Sequence, residues 1–325
     1  MNLRRATLTA VLSIPAALHA WAAEEHTVQG VLIDVNRDKG SITVSCDPIP
    51  GYMDAMVMPF EVRDLATLKT IQPGAMVRFT MVERGDKDYA EHLQTVAVTN
   101  FESEPVEAGR LTFLHQALDP TALAKIVPVG QLVPDFTLVD QAQNTTHLEQ
   151  FRGKVVALTF AYSRCPNPNY CFRLSNNLAQ VSRRFQDRTG RDLVLMTIVI
   201  DPDNDQAKAL ERYADTWKAD PATWHFLTGR LTDIREIAEM FGMNFWGDEG
   251  FLIHSFHTVV IDRDGKLAAN LEGNQFTAQQ LGDLVETILT RPIQSIQNLP
   301  RPNQAANATT ATTNHQSPPD NQSQR

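Results

Sequence analysis

The sequence predicts a mixed fold: a small five-stranded β-barrel followed by a larger α/β domain. Two patterns carry this expectation. Between residues 26 and 100 the chain holds short alternating runs of apolar and polar residues, broken by turn-forming Gly, Pro, Asn and Asp. From Asp135 onward, continuous apolar runs alternate with stretches of helical spacing. A connector at residues 101–131 opens on acidic residues and Pro and is long for a loop inside one domain, so the boundary is placed there. A chain of 325 residues has room for two domains.

The elements follow in order. His26–Val35 and Ser41–Cys46 flank the polar turn Asn36-Arg37-Asp38-Lys39-Gly40, and Pro59–Val62 reads as a short third strand. Pro73-Gly74 opens a fourth, Ala75–Glu83, and Ala90–Thr99 is the fifth; only Leu65–Ile71 has helical spacing. Five such strands suit a small closed barrel of the OB type. In the second domain Val155–Ala161 is wholly apolar, as a buried parallel strand requires. Leu174–Arg188 reads as a helix, and Leu193–Ile200 as a second buried strand ended by Asp201-Pro202. Asp205 is expected to cap a helix running through Trp217. Trp224–Leu227 is a strand and Leu231–Phe241 a helix. Thr258–Asp262 and Leu267–Leu271 flank Arg263-Asp264-Gly265 as a hairpin, and Thr277–Leu289 is a final helix. This order over residues 132–292 is thioredoxin-like.

A net charge of −9 without any cluster of Lys and Arg excludes a nucleic-acid partner, because phosphate binding needs such clusters. Arg4 and Arg5 precede an apolar run from Ala6 to Leu18 and the small-x-small site Ala20-Trp21-Ala22. That is the pattern of a cleaved signal peptide over residues 1–22, with an uncleaved membrane anchor as the other reading, and it places the mature chain in the periplasm. Residues 293–325 are mainly Gln, Asn, Thr, Ser, Ala and Pro and are expected to be disordered.

The cysteines are Cys46, Cys165 and Cys171, too few to staple a domain of this size. Cys165 and Cys171 follow the first buried strand and lead into a helix, at the end of the parallel sheet where loops carry function. A helix N-terminus favours the thiolate that binds metal or attacks disulfides. A plain structural disulfide is the other reading of this pair.

Pro134-Asp135-Phe136-Thr137-Leu138, Phe151-Arg152-Gly153-Lys154, the Phe160-x-x-x-Arg164-Cys165-Pro166 segment and a His ahead of the late hairpin together resemble the Sco/SenC family of copper chaperones for cytochrome oxidase. The resemblance implies copper, as Cu(I) or Cu(II), held by Cys165, Cys171 and His254. Counting back from Gly265, the family's ligand falls on His254 rather than His257. Soft thiolates with an imidazole suit copper on general grounds too. The implied partners are a copper-accepting protein such as a cytochrome oxidase subunit and a thiol reductant, with work done in membrane proximity. The alternative is a thiol–disulfide reductase that maintains copper-site cysteines, in which Cys165 and Cys171 are the catalytic redox pair. Three features depart from the family: five residues separate the cysteines instead of three, Phe172 replaces a usual Pro, and Ile253 replaces a common acidic residue.

Five of the nine methionines, Met53, Met56, Met58, Met76 and Met81, lie in the barrel region. Met56 and Met58 fall on the same side of a strand, and thioethers select Cu(I) over zinc or calcium. The competing reading is that methionine fills an irregular core. The stretch Cys46–Phe60 is similar to the periplasmic copper-binding barrel of the CusF type. That resemblance implies a Cu(I) site at Cys46, Met56 and Met58, with Cys46 where the family has His and Tyr52 as an aromatic contact.

Overall fold

The computed structural model describes residues 25–96, 125–248 and 251–292. The expected signal peptide, the expected tail and most of the connector lie outside these residues. The first half is a closed barrel of five strands: β1 (Glu25–Asn36), β2 (Ser41–Cys46), β3 (Met56–Val62), β4 (Met76–Arg84) and β5 (Lys87–Thr95). They close in the order β1-β2-β3-β5-β4, with β3 and β5 parallel and the other pairs antiparallel. Val28, Leu32, Val44, Phe60 and Phe79 fill the interior, where alternate residues of each strand converge. The third strand starts three residues earlier than composition suggests, so both methionines of the Met-x-Met pair are paired backbone. The expected helix is a single 3-10 turn, Thr67–Lys69.

The second half holds a seven-stranded sheet. Its strands are β6 (Thr137–Asp140), β7 (Thr145–His147), β8 (Val155–Ala161), β9 (Leu193–Val199), β10 (Trp224–Thr228), β13 (His257–Ile261) and β14 (Leu267–Glu272). A separate two-stranded hairpin pairs β11 (Phe245–Asp248) with β12 (Phe251–His254). The sheet order is β14-β13-β8-β9-β10-β6-β7, with β8, β9 and β10 parallel at its centre. Every residue of β8 and β9 is buried, as their unbroken apolar runs require. Helices α1 (Arg173–Arg184), α2 (Ala207–Thr216) and α4 (Ala278–Thr290) cover one face, and α3 (Leu231–Met240) the other. Gly265, with φ of 76°, makes the turn between β13 and β14. This is a barrel followed by a thioredoxin-like α/β domain.

Three details differ from the sequence reading. The hairpins β6–β7 and β11–β12 are additional to the expected strands. Residues 125–131, placed in the connector, pack on the second domain: Val127 donates to Met240 O at 2.8 Å and Gly130 to Leu267 O at 2.7 Å. Asp205 is not a helix cap. Helix α2 begins at Ala207 behind Gln206, and the Asp205 carboxylate turns the other way, into the site below.

Candidate metal centre

The cysteine loop hangs from the end of β8. Tyr162 stays buried beneath it, Cys165 is half-buried, and two prolines stiffen the segment that follows. The Asn167 side chain accepts from Asn169 N at 2.9 Å and starts a tight turn over Pro168–Phe172. Tyr170, at φ −103° and ψ −109°, breaks that turn from helical geometry and swings Cys171 inward, where it is 1% exposed. Helix α1 starts two residues later. The five-residue spacer is therefore taken up by a turn that returns the second sulfur beneath the first.

His254, the last residue of β12, meets this loop from the opposite side. Its Nε2 lies 3.4 Å from Cys171 Sγ, and its Nδ1 lies 2.9 Å from Ser255 O. A backbone carbonyl only accepts, so Nδ1 is assigned the proton and Nε2 presents its lone pair to the sulfur. A second contact of this kind orients imidazoles that bind metals. Burial holds the His254 ring well below its ordinary value, to about 4, and so neutral near pH 7. His257 sits elsewhere: its Nδ1 lies 3.0 Å from Asn270 Oδ1, within the core between β13 and β14.

The two thiols are polarised in opposite directions. The Cys171 thiol, hydrogen-bonded to the Cys165 sulfur, outweighs burial and lowers Cys165 to about 6; backbone amides of Cys171 and Asn167 and the Tyr162 hydroxyl add to it. Burial, reinforced by the Cys165 interaction, raises Cys171. Both cysteines are free thiols here. The Tyr162 hydroxyl lies 3.2 Å from Leu252 O, tying the cysteine loop to the hairpin that carries His254.

Asp201 and Asp205, at the end of β9, brace the loop. Asp205 is fully buried and accepts from Ser163 N at 3.0 Å and from the Ser163 hydroxyl. Asp201 accepts from Arg164 Nη2 at 2.7 Å and Nε at 3.2 Å. Composition gave no reason to single out these carboxylates; their position after a buried parallel strand, beside the one bearing Cys165, was the available signal.

In the barrel, β2 and β3 place Cys46 directly opposite Met56 and Val44 opposite Met58. Cys46 is 1% exposed, and burial followed by the nearby Asp47 charge pushes its thiol up to about 12. Met56 is exposed and Met58 half-buried, so three sulfur-bearing residues share one end of the sheet. Met81 is core of the barrel, and Met76 faces the second domain. Tyr52 stacks on His26 with ring centroids 3.7 Å apart.

Among the described residues, no three His, Cys, Asp or Glu side chains already converge as a closed metal cage. The second-domain contacts are pairwise, Cys171 with both His254 and Cys165. As a donor set, two thiols and a lone-pair imidazole fit a soft or borderline metal and not a hard, oxygen-seeking one.

Residues 127–290, just over half of the 325, match the family model described as SCO1/SenC. The chain belongs to the SCO1/SenC family. Residues 25–95 match a second model, the copper-binding periplasmic protein CusF. Copper is the metal that the second match names and that the donor set fits. The SCO1 protein homolog of Bacillus subtilis is 25% identical over 154 residues, covering 46% of this chain and 78% of that protein. A copper-bound ScoI structure from Arabidopsis thaliana is 20% identical, with a TM-score of 0.44, covering 50% of this chain and all of the other. Copper-bound yeast Sco1 is likewise 20% identical at a TM-score of 0.44, covering 54% of this chain and 98% of the other.

Proposed function

We propose that this SCO1/SenC member is an exported, periplasmic metallochaperone, which holds copper at Cys165, Cys171 and His254 and passes it to a copper-accepting protein such as a cytochrome oxidase subunit. The observation that carries the reading is the His254 ring, its Nδ1 occupied by Ser255 O and its Nε2 aimed at Cys171 Sγ from 3.4 Å. A neutral imidazole beside two thiols needs only to lose thiol protons to receive the metal. In the barrel, Cys46, Met56 and Met58 form a separate Cu(I) site. Metal analysis of the reduced full chain tests the reading. It should carry copper that the triple variant Cys46→Ser, Cys165→Ser, Cys171→Ser lacks; equal copper in both would overturn it.

A second reading rests on the opposed thiol shifts, Cys165 down and Cys171 up. A low thiol attacks and a buried partner resolves. As a reductase, the pair would give two electrons and two protons to a copper-site disulfide and close on itself, to be reopened by a thiol reductant partner. Reduction of an oxidase-derived disulfide peptide by the metal-free chain would support it, and inertness toward that peptide would remove it.

A further inference from the structure

The barrel is fastened to the second domain on both sides of Cys46. Ser45 Oγ donates to Asp283 Oδ2 on α4 at 2.7 Å, and Asp283 also accepts from Arg184 Nη1 at 2.8 Å. One turn earlier on the same helix, Gln280 Nε2 lies 3.2 Å from Ser45 O and 2.9 Å from Asp47 Oδ1. Gln280 is itself locked: it is 3% exposed, and its Oε1 accepts from Thr277 N at 2.9 Å. Positions three apart share one face of a helix, so a single turn of α4 grips the residue before Cys46 and the residue after it.

The grip reaches Cys46 through backbone geometry. Successive side chains of a strand point to opposite faces. Ser45 faces α4, while Cys46 joins Val44 and Phe60 in the buried interior of the barrel, paired across the ladder with Met56. Cys46 is also the last residue of β2, and strand ends are where local opening begins. Two contacts within the barrel press on the same point. Asp47 N donates to Gln29 O at 2.7 Å, and β1 comes so close that a Cβ on Gly30 would fall 2.9 Å from Cys46 Cα.

From these contacts, and resting on the barrel copper site proposed above, we infer that Gln280 is a positioning residue of that site, so that α4 of the second domain sets the affinity of the barrel for Cu(I). Gln280 acts through Ser45 and Asp47 and not by contact with the metal. By fixing the backbone on either side of Cys46, it fixes where the sulfur stands relative to Met56 and Met58. A sulfur already held in place gives up little freedom when the metal arrives, whereas one on a frayed strand end must first be ordered. Partners that orient a metal ligand are worth roughly 10- to 100-fold in affinity.

The test uses the reduced full chain carrying Cys165→Ser/Cys171→Ser, in which the barrel is the remaining copper site. In Cu(I) competition titrations, Gln280→Leu, similar in size but without the donor, should bind about tenfold more weakly or worse. Ser45→Ala, a smaller change that releases the other anchor, should weaken binding in the same direction. Arg291→Ala cuts a different tie between barrel and second domain, the 2.7 Å contact with Asp34 Oδ1, and should keep the parent affinity. In the metal-free chain, Gln280→Leu should let iodoacetamide reach Cys46 in native buffer about tenfold faster or more, again with Arg291→Ala unchanged. Unchanged affinity or unchanged labelling in Gln280→Leu, or an equal loss of affinity in Arg291→Ala, overturns the inference while the barrel site stands. Absence of Cu(I) binding in the parent chain overturns the barrel site itself, and the positioning role with it.

Discussion

Cys171 Sγ and His254 Nε2 stand 3.4 Å apart although 83 positions separate them along the chain. Nothing local forces that meeting. It follows from β8 delivering the cysteine loop and β12 delivering the imidazole to the same end of one domain, with Tyr162 bonded to Leu252 O between them. The consequences of this pairing can be measured.

His254→Ala should abolish the Cu(II)–thiolate absorption of the full chain and leave its fold intact, whereas His257→Ala should leave the absorption and loosen the β13–β14 core. Absorption spectra and thermal melts of the two variants check this. The reverse pattern would move the ligand three residues along the chain.

The same ring makes stability depend on pH. Its folded value of about 4 lies below the ordinary 6.5, so the unfolded chain binds the proton first. Stability is therefore full above about pH 6.5 and falls as pH drops toward 4, by up to about 3 kcal/mol from this residue. His257, also lowered by burial, adds to the loss in the same direction. Urea titrations from pH 7 to pH 4 should show the fall, with a smaller slope in His254→Asn.

Cys165 should be the reactive thiol of the folded, reduced, metal-free chain. Its alkylation rate should rise with pH through a midpoint near 6, because the Cys171 thiol holds it there. Cys171 and Cys46, each 1% exposed and raised by burial, should label only after unfolding. Peptide mapping after a short pulse of iodoacetamide decides it.

Asp205→Ala should free the start of the cysteine loop. It strands the half-buried Ser163 amide and hydroxyl and should cost about 1 kcal/mol. Copper affinity should fall with it, and Asp205→Asn, which keeps one acceptor, should recover part of both losses. Parallel melts and Cu(I) competition titrations measure the two effects; an unchanged affinity in Asp205→Ala would make the contact structural only.

In a Cys165→Ser/Cys171→Ser chain, changing Met56 and Met58 to Leu preserves volume and should cost less than about 1.5 kcal/mol. Cu(I) binding by the barrel should nonetheless collapse. Undiminished binding would return both methionines to packing.

Much of this was legible because burial writes itself into composition. The unbroken apolar runs of β8 and β9 announced central parallel strands, and the Gly265 turn announced the hairpin after them. What composition does not encode is pairing at long range. The β11–β12 strands are four residues each and lack alternation, so the element that carries His254 reads as loop. Asp205 looks like a helix cap because its partner Ser163 is 42 positions away. The five methionines look alike in sequence, yet Met81 is core, Met76 faces the second domain, and only register separates them from Met56 and Met58.

Strand β1 is buried on both sides: Val28 and Leu32 serve the barrel interior, while Val31 and Ile33 lie against the helices of the other half. A polypeptide with one strand in two hydrophobic interiors does not come apart like modules on a string. Cutting it near residue 100 would leave an oily stripe bare on α4, and the α/β half alone would tend to self-associate. A genetic fusion of this design is thus hard to undo: once the two halves share an interior, losing either endangers the solubility of the survivor.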